Sequence, residues 1–270
     1  MKVGFVCVNY NNSIVTENLL DSITDSINSD NVKIEVIIVD NSNNLILDLK
    51  KYPIKIIIIK SENIGYFPGL NVGLNFLKKH SKLDFIIIGN NDLIFNKLFW
   101  DNLYSGKDSL SKYFVISPRI MKENGEEQNP HVINEISKYR LIYLKVIYSN
   151  RYFYKYGRLL IQYIVPYKYR RKDELNYTIS QFIVQGHGSC YILTQNYFEK
   201  YDLPEYTNLY GEEYFLSYQL KQINTSVYYF HELSVYHNEH SSTGKLLNKK
   251  LFKLKKEAFL KELYLRKSYK

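Results

Sequence analysis

The sequence predicts an α/β protein built on a mostly parallel sheet flanked by helices, and three observations carry that prediction. Four short, nearly continuous apolar runs recur within the first 120 residues, each followed by a cluster of Asn, Asp, Ser or Gly. Longer stretches with apolar residues at helical spacing lie between them. The 270 residues, 45% hydrophobic and 23% charged, suffice to bury a full core, which excludes disorder and collagen-like structure. Apolar runs without alternation suit strands covered on both faces, and their alternation with amphipathic segments is the pattern of βαβ units.

The elements follow in order. Val3 to Val8, Ile34 to Val39, Ile54 to Ile59 and Phe85 to Ile88 are the expected strands. Val15 to Ile27 places Leu19, Leu20, Ile23 and Ile27 on one helical face, and Gly69 to Lys79 does so with Leu70, Gly73, Leu74 and Leu77. From Lys138 to Lys172 the texture changes to Tyr, Arg, Lys and Ile, which reads as a helical insertion. A strand signal returns at Ser180 to Leu193, then helices at Gln195 to Tyr201 and Glu212 to Gln222, then a strand at Ser226 to Phe230. From Leu246 the tail is expected to form a basic amphipathic helix with Leu247, Leu251, Leu254 and Ala258 along one stripe. The boundaries are a body over 1–243, in parts 1–120, 138–177 and 178–243, and a C-terminal helix over 244–270.

The net charge of +9 is segregated along the chain. Tyr139 to Tyr177 carries nine Lys and Arg against two acids, and Lys245 to Lys270 carries ten against two, so the remaining residues sum to −6. An acidic body with two basic segments points to an anionic partner. Cys7 and Cys190 each lie in an apolar run, so buried reduced thiols are expected, which points to the cytoplasm. The N-terminal apolar run is too short for a signal peptide, and no stretch approaches the ~18 apolar residues of a membrane span.

Polar clusters follow the four strands: Asn9-Tyr10-Asn11-Asn12, Asp40-Asn41-Ser42, Glu62-Asn63-Ile64-Gly65 and Asn90-Asn91-Asp92. Each taken alone is a set of turn residues. Together they mark the strand-end edge where open α/β sheets bind ligands. No GxGxxG follows the first strand and no GxxxxGK[ST] occurs, so neither a dinucleotide site nor a P-loop is indicated. Asp92 stands where a hard cation could be held against phosphate oxygens. His237 is either a structural hydrogen-bonder or a further ligand there. Glu212 and Glu213 open a helix, as an acidic first turn favoured by the helix dipole or as a general base.

The order of these motifs resembles the inverting nucleotide-sugar glycosyltransferases of family 2, with the GT-A fold, and among them a bacterial rhamnosyltransferase-like branch that builds surface polysaccharides. The residues are VNYNN at Val8, VIIVDNSNN at Val36, ENIGYFPGLNVGL at Glu62, IIIGNNDLIF at Ile86, VQGHGSCYIL at Val184, LYGEEYFLSYQL at Leu209 and VYHNEHSST at Val235. The resemblance covers about residues 1–120 and 180–243. It implies that Asn9 and Asp40 border the nucleobase, that Asn63 and Gly65 lie along the ribose and diphosphate, and that Asn90 and Asn91 join the nucleotide-sugar site. Asp92 takes the place of the metal-binding aspartate of a DxD motif, with His237 near the same metal, Mn²⁺ or Mg²⁺. Asn90 replaces the first aspartate of that motif, which removes one charge. Glu213 matches the catalytic base, with Glu212 as the fallback, and His187 and Gly188 with Glu212 face the acceptor.

The implied activity is transfer of a sugar from a UDP- or dTDP-sugar to a glycan hydroxyl with inversion, the acceptor lipid-linked and the enzyme peripheral on the inner face of the plasma membrane. The two basic segments suit an anionic membrane surface. The competing expectation is a nucleic-acid-binding protein, because Arg, Lys and Tyr interleave from Tyr139 to Tyr177. The enzyme reading expects no nucleic acid. A nucleotidyltransferase would need a glycine-rich basic loop after the first strand, which VNYNNSIV lacks.

Overall fold

The computed structural model describes residues 1–42, 45–157, 171–238 and 249–268. The N-terminal half runs β1 (Lys2–Asn9), α1 (Ser13–Asp25), β2 (Lys33–Asp40), β3 (Lys55–Lys60), α2 (Tyr66–His80) and β4 (Phe85–Asn90). These strands pair in parallel in the order β3-β2-β1-β4, as the four apolar runs require. Side chains alternate between two cores. Phe5 and Cys7 point to the face covered by Leu19, Leu20 and Ile23 of α1, while Val6 points to the face covered by Leu70, Leu74 and Leu77 of α2. Asn12 caps α1 by accepting from the Val15 backbone N–H at 3.3 Å.

The remainder comprises β5 (Leu93–Phe95), α3 (Phe99–Ser105), α4 (Lys107–Leu110), β6 (Val115–Met121), β7 (Glu127–Asn129), α5 (Lys138–Ser149), β8 (Gln181–Ile183), β9 (Cys190–Thr194), α6 (Gln195–Phe198), α7 (Glu212–Gln222), β10 (Val227–His237) and α8 (Lys249–Ser268). They extend the sheet to ten strands, the main path reading β3-β2-β1-β4-β9-β6-β10-β5. β9 is antiparallel to both neighbours, so β6 and β10 run in the same direction as β1. Six of the ten strands share that direction. The sheet is mostly parallel, with helices on both faces.

Several boundaries differ from expectation. The Ser180 to Leu193 segment is two strands, because Val184 to Ser189 leaves the sheet as a loop. The expected helix over Gln195 to Tyr201 is one turn ending at Phe198. β10 continues seven residues past Phe230 with a register shift against β6, so His237 is its last residue rather than a residue beyond it. Both cysteines are free and buried, and burial pushes the Cys7 thiol up to about 12.

α8 lies on the body of the protein. Phe259 stacks on Tyr148 of α5 at 4.7 Å, Phe252 meets Tyr154 at 5.5 Å, and the Lys256 ammonium donates to the Ser149 carbonyl at 3.2 Å. Ala258, Phe259 and Leu265 are buried. Of the stripe expected to meet lipid, Ala258 therefore faces inward, Leu251 and Leu254 are half-buried, and Leu247 lies outside the described residues. The physical reason is that Tyr148 and Tyr154 offer aromatic surface that Phe259 and Phe252 cover, while Gly211 leaves room for Ala258. No described helix is long and apolar enough to cross a membrane.

Candidate functional site

The C-terminal ends of β1, β2, β4 and β10 bring Asn9, Asp40, Asn90 and His237 to one rim of the sheet. Three groups of side chains occupy that rim, and they differ in how their hydrogen bonds are used.

The first group is closed on itself. The Asn9 amide donates to Asp40 Oδ1 at 2.8 Å and to Ser42 Oγ at 3.2 Å, and the Ser42 hydroxyl donates to the same Asp40 oxygen at 2.6 Å. Thr16 Oγ1 donates to Asn9 Oδ1 at 2.9 Å, and Asn91 Nδ2 donates to Thr16 Oγ1 at 2.9 Å. Asn9 and Asp40 are fully buried, so this network fixes the rim from within. Beside it, Asn41 Oδ1 is buried with no hydrogen-bond partner. Asn63, placed by the resemblance along the ribose, is exposed on the third strand's loop.

The second group is open. His237 Nδ1 faces Gln128 Oε1 at 2.9 Å, an acceptor that fixes the proton on Nδ1. In the neutral ring Nε2 is then a lone pair. It lies 3.2 Å from Asn90 Nδ2 and 3.2 Å from Asp92 Oδ1. Asp92 Oδ1 is buried and receives no hydrogen bond. The Asn90 amide donates to that lone pair, so the oxygen left without a donor is Asp92 Oδ1; with Asn90 turned aside, the imidazole nitrogen and the carboxylate oxygen would together offer two ligands to a divalent cation, with Gln128 as outer support. Among the described residues no three His, Cys, Asp or Glu side chains form a metal cluster, so the protein's share is these two groups. They fit a cation completed by phosphate oxygens, which is how Mg²⁺ commonly binds.

The third group joins the second through the loop His187-Gly188-Ser189. The His187 ring packs against His237 at 5.5 Å and His131 at 5.6 Å. Its Nδ1 lies 2.9 Å from Ser189 Oγ and accepts from the Ser189 backbone N–H at 3.3 Å, which leaves the proton on Nε2. Burial, then His131 and His237, holds this imidazole well below the usual histidine range and keeps it neutral. The Tyr66 hydroxyl donates to the Gly188 carbonyl at 3.3 Å. A methyl group on Gly188 would sit 2.6 Å from Glu213 Oε1, so only glycine admits this carboxylate against the loop.

Glu213 and Glu212 diverge although they are adjacent at the start of α7. Tyr210 (φ 72°) and Gly211 (φ 85°) turn the chain into the helix. Glu212 Oε1 accepts from the Tyr210 backbone N–H at 2.9 Å, and the residue is 7% exposed. Burial first and Glu213 second push its carboxyl up to about 8. Gly65 (φ +117°) seats α2 against Asn208, where any side chain would strike backbone, and the Tyr66 N–H donates to the Asn208 carbonyl at 2.8 Å. The donor-side loop is thereby tied to the segment that leads into Glu213.

Gln128, Asn129 and Tyr66 carry roles that motif reading did not supply. Asn129 is fully buried, donates to Ser117 Oγ at 2.8 Å and accepts from the His187 N–H at 3.0 Å, which pins the loop. The sequence sign available was the Asn129-Pro130 dipeptide, a turn signal with a cis bond.

No protein-family model matches the chain, and no curated protein matches it either. Solved structures do. S. aureus TarS aligns at 15% identity with a TM-score of 0.55, over 88% of this chain and 37% of that one. TarS 1-349 in complex with UDP-GlcNAc aligns at 14% identity and 0.55, over 90% of this chain and 60% of the other. TarS 1-349 in complex with UDP aligns at 15% identity and 0.52, over 88% and 60%. The chain spans less than two thirds of the length of these neighbours. At these identities the likeness shows the fold alone, a mostly parallel α/β sheet flanked by helices.

Proposed function

We propose that the chain is a glycosyltransferase that moves a sugar from a nucleotide-diphosphate donor to a hydroxyl of a glycan acceptor, with inversion at the anomeric carbon. The observation that carries this is the buried Asp92 Oδ1, which accepts no hydrogen bond and lies 3.2 Å from His237 Nε2, one loop away from Glu213. The complexes of TarS with UDP-GlcNAc and UDP support a nucleotide-sugar donor for this fold.

Asp92 and His237 would hold a divalent cation, Mn²⁺ or Mg²⁺, whose chemistry is to neutralise charge on a departing diphosphate. Glu213 takes the proton from the acceptor hydroxyl as that oxygen bonds to the anomeric carbon. The bond from that carbon to the diphosphate oxygen breaks, and its electron pair leaves with the nucleoside diphosphate. One displacement with base and leaving group on opposite faces inverts the centre. His187, neutral with Nε2 protonated, offers a donor beside this path, and Gly188 leaves room for it. A lipid-linked acceptor of surface-polysaccharide synthesis, met in the cytoplasm, completes the proposal.

Calorimetry with UDP and dTDP, each with and without Mn²⁺, is the test, followed by a donor screen that includes a dTDP-deoxyhexose and UDP-GlcNAc. Cation-dependent binding of one nucleotide is expected. Asp92→Ala should abolish the cation dependence while leaving the melting temperature unchanged, and wild-type affinity in that variant removes Asp92 from the site.

A further inference from the structure

We infer that the outward face of α5, with the turn that follows it, docks on an anionic lipid surface. α5 anchors to the body through Ile147, its one buried residue. Roughly 100° round the helix from Ile147, Tyr139, Ile142 and Val146, at i, i+3 and i+7, are 85%, 57% and 51% exposed, and Tyr152, Phe153 and Tyr156 extend the exposed apolar surface. Residues 138–157 also carry Lys138, Arg140, Lys145, Arg151 and Lys155 and no acid. An apolar stripe on one helix face, flanked by cations with long alkyl stems and by tyrosines, is the composition of a helix lying in a headgroup layer.

The charges select the occupant. A second copy of the chain would set this basic surface against its own like, with α8 adding eight cations against two acids alongside. A free polyanion would engage Lys and Arg but leave Ile142 and Val146 in water, since aliphatic side chains neither stack on bases nor bind phosphate. An anionic bilayer uses both features, with each cation near the surface worth roughly 1 kcal/mol. The sequence expectation gives the membrane contact to both basic segments; this assignment narrows it to α5, because α8 packs Phe259 on Tyr148 and sets Ala258 beside Gly211. It does not rest on the donor proposal.

The experiment is flotation of the full chain with phosphatidylcholine vesicles, with and without phosphatidylglycerol, at rising salt. The chain should float with the anionic vesicles alone and release as salt rises. Ile142→Ser with Val146→Ser leaves the charge unchanged and should weaken partitioning at least tenfold, while Lys138→Gln, Arg140→Gln and Lys145→Gln should each cost roughly fivefold. These positions are exposed, and unchanged melting curves would show that the fold is kept. Equal flotation of the serine variant and the wild type overturns the proposal. So does equal flotation with neutral vesicles, or binding to oligothymidylate with no flotation.

Discussion

At the residue scale, two neighbouring glutamates have been given opposite surroundings. Glu213 reaches the Gly188 loop, so Glu213→Gln should keep donor affinity and lower turnover by about 10² to 10⁴, read by steady-state kinetics on the donor found in the screen. A smaller loss there than in Glu212→Gln would move the base to Glu212. Glu212 is buried, and its carboxyl stands at about 8 against an ordinary 4.5. The folded chain therefore holds this proton more tightly than the unfolded one. The stability linked to it is complete below about pH 4.5 and is lost as pH rises through about 8. Glu212→Gln cannot ionise and still offers Tyr210 an acceptor. It should melt with the wild type in acid and a few degrees above it beyond pH 8, as thermal scans across pH will report. Asp92 and Glu213 draw attention in the sequence because one follows an apolar strand and the other opens a helix, whereas His237 reads as lying beyond a strand that ends at Phe230 and is in fact the last residue of β10. Gln128 was not legible: it acts only because β7 folds back on β6, and three residues without an apolar period announce no strand.

At the element scale, α8 acts as a brace on the turn that aims α7. A methyl group on Gly211 would lie 3.3 Å from the Ala258 side chain, the Lys255 ammonium sits over the Tyr210 ring at 5.0 Å, and the Arg266 guanidinium sits over Tyr214 at 4.6 Å. Phe259→Ala should cost about 3 kcal/mol in urea unfolding, as large-to-small changes in buried sites do. Because the same helix supports Gly211, turnover should fall well below the melting range too. Retained turnover would confine α8 to a stabilising role. The first four strands were legible because each is covered on both faces and reads as one apolar run. The far half of β10 was missed although Leu233, Val235 and His237 alternate with Ser234 and Tyr236, since its bulge interrupts the period after Phe230. Composition sets the segment from Lys138 to Lys172 apart, of which residues 158–170 lie outside the described residues, and its helix α5 begins where Ser137 accepts from the Arg140 N–H at 3.2 Å.

At the scale of the whole molecule, charge and apolar surface are divided between two jobs. The acidic body carries the rim, and the basic helices lie together at its side, with Glu135 joined to Lys221 at 3.0 Å and to Arg266 at 3.5 Å. The path of the sheet has a temporal consequence. β9 is the seam between β4 and β6, yet it lies about a hundred residues after β4 in the chain. β1 to β4 can associate as soon as they are synthesised, whereas β6 has no strand to join it to that half until residues 190–194 arrive, and β10 follows later still. Closing so long a loop is slow, and the barrier to folding should therefore sit at this seam. Ile192 is fully buried between both neighbours, so Ile192→Val should slow refolding by nearly its whole loss of stability and barely alter the unfolding rate, as stopped-flow chevrons will measure. A nascent chain halted before Cys190 would hold half a sheet with β4 as a bare edge, the species most exposed to mispairing during synthesis.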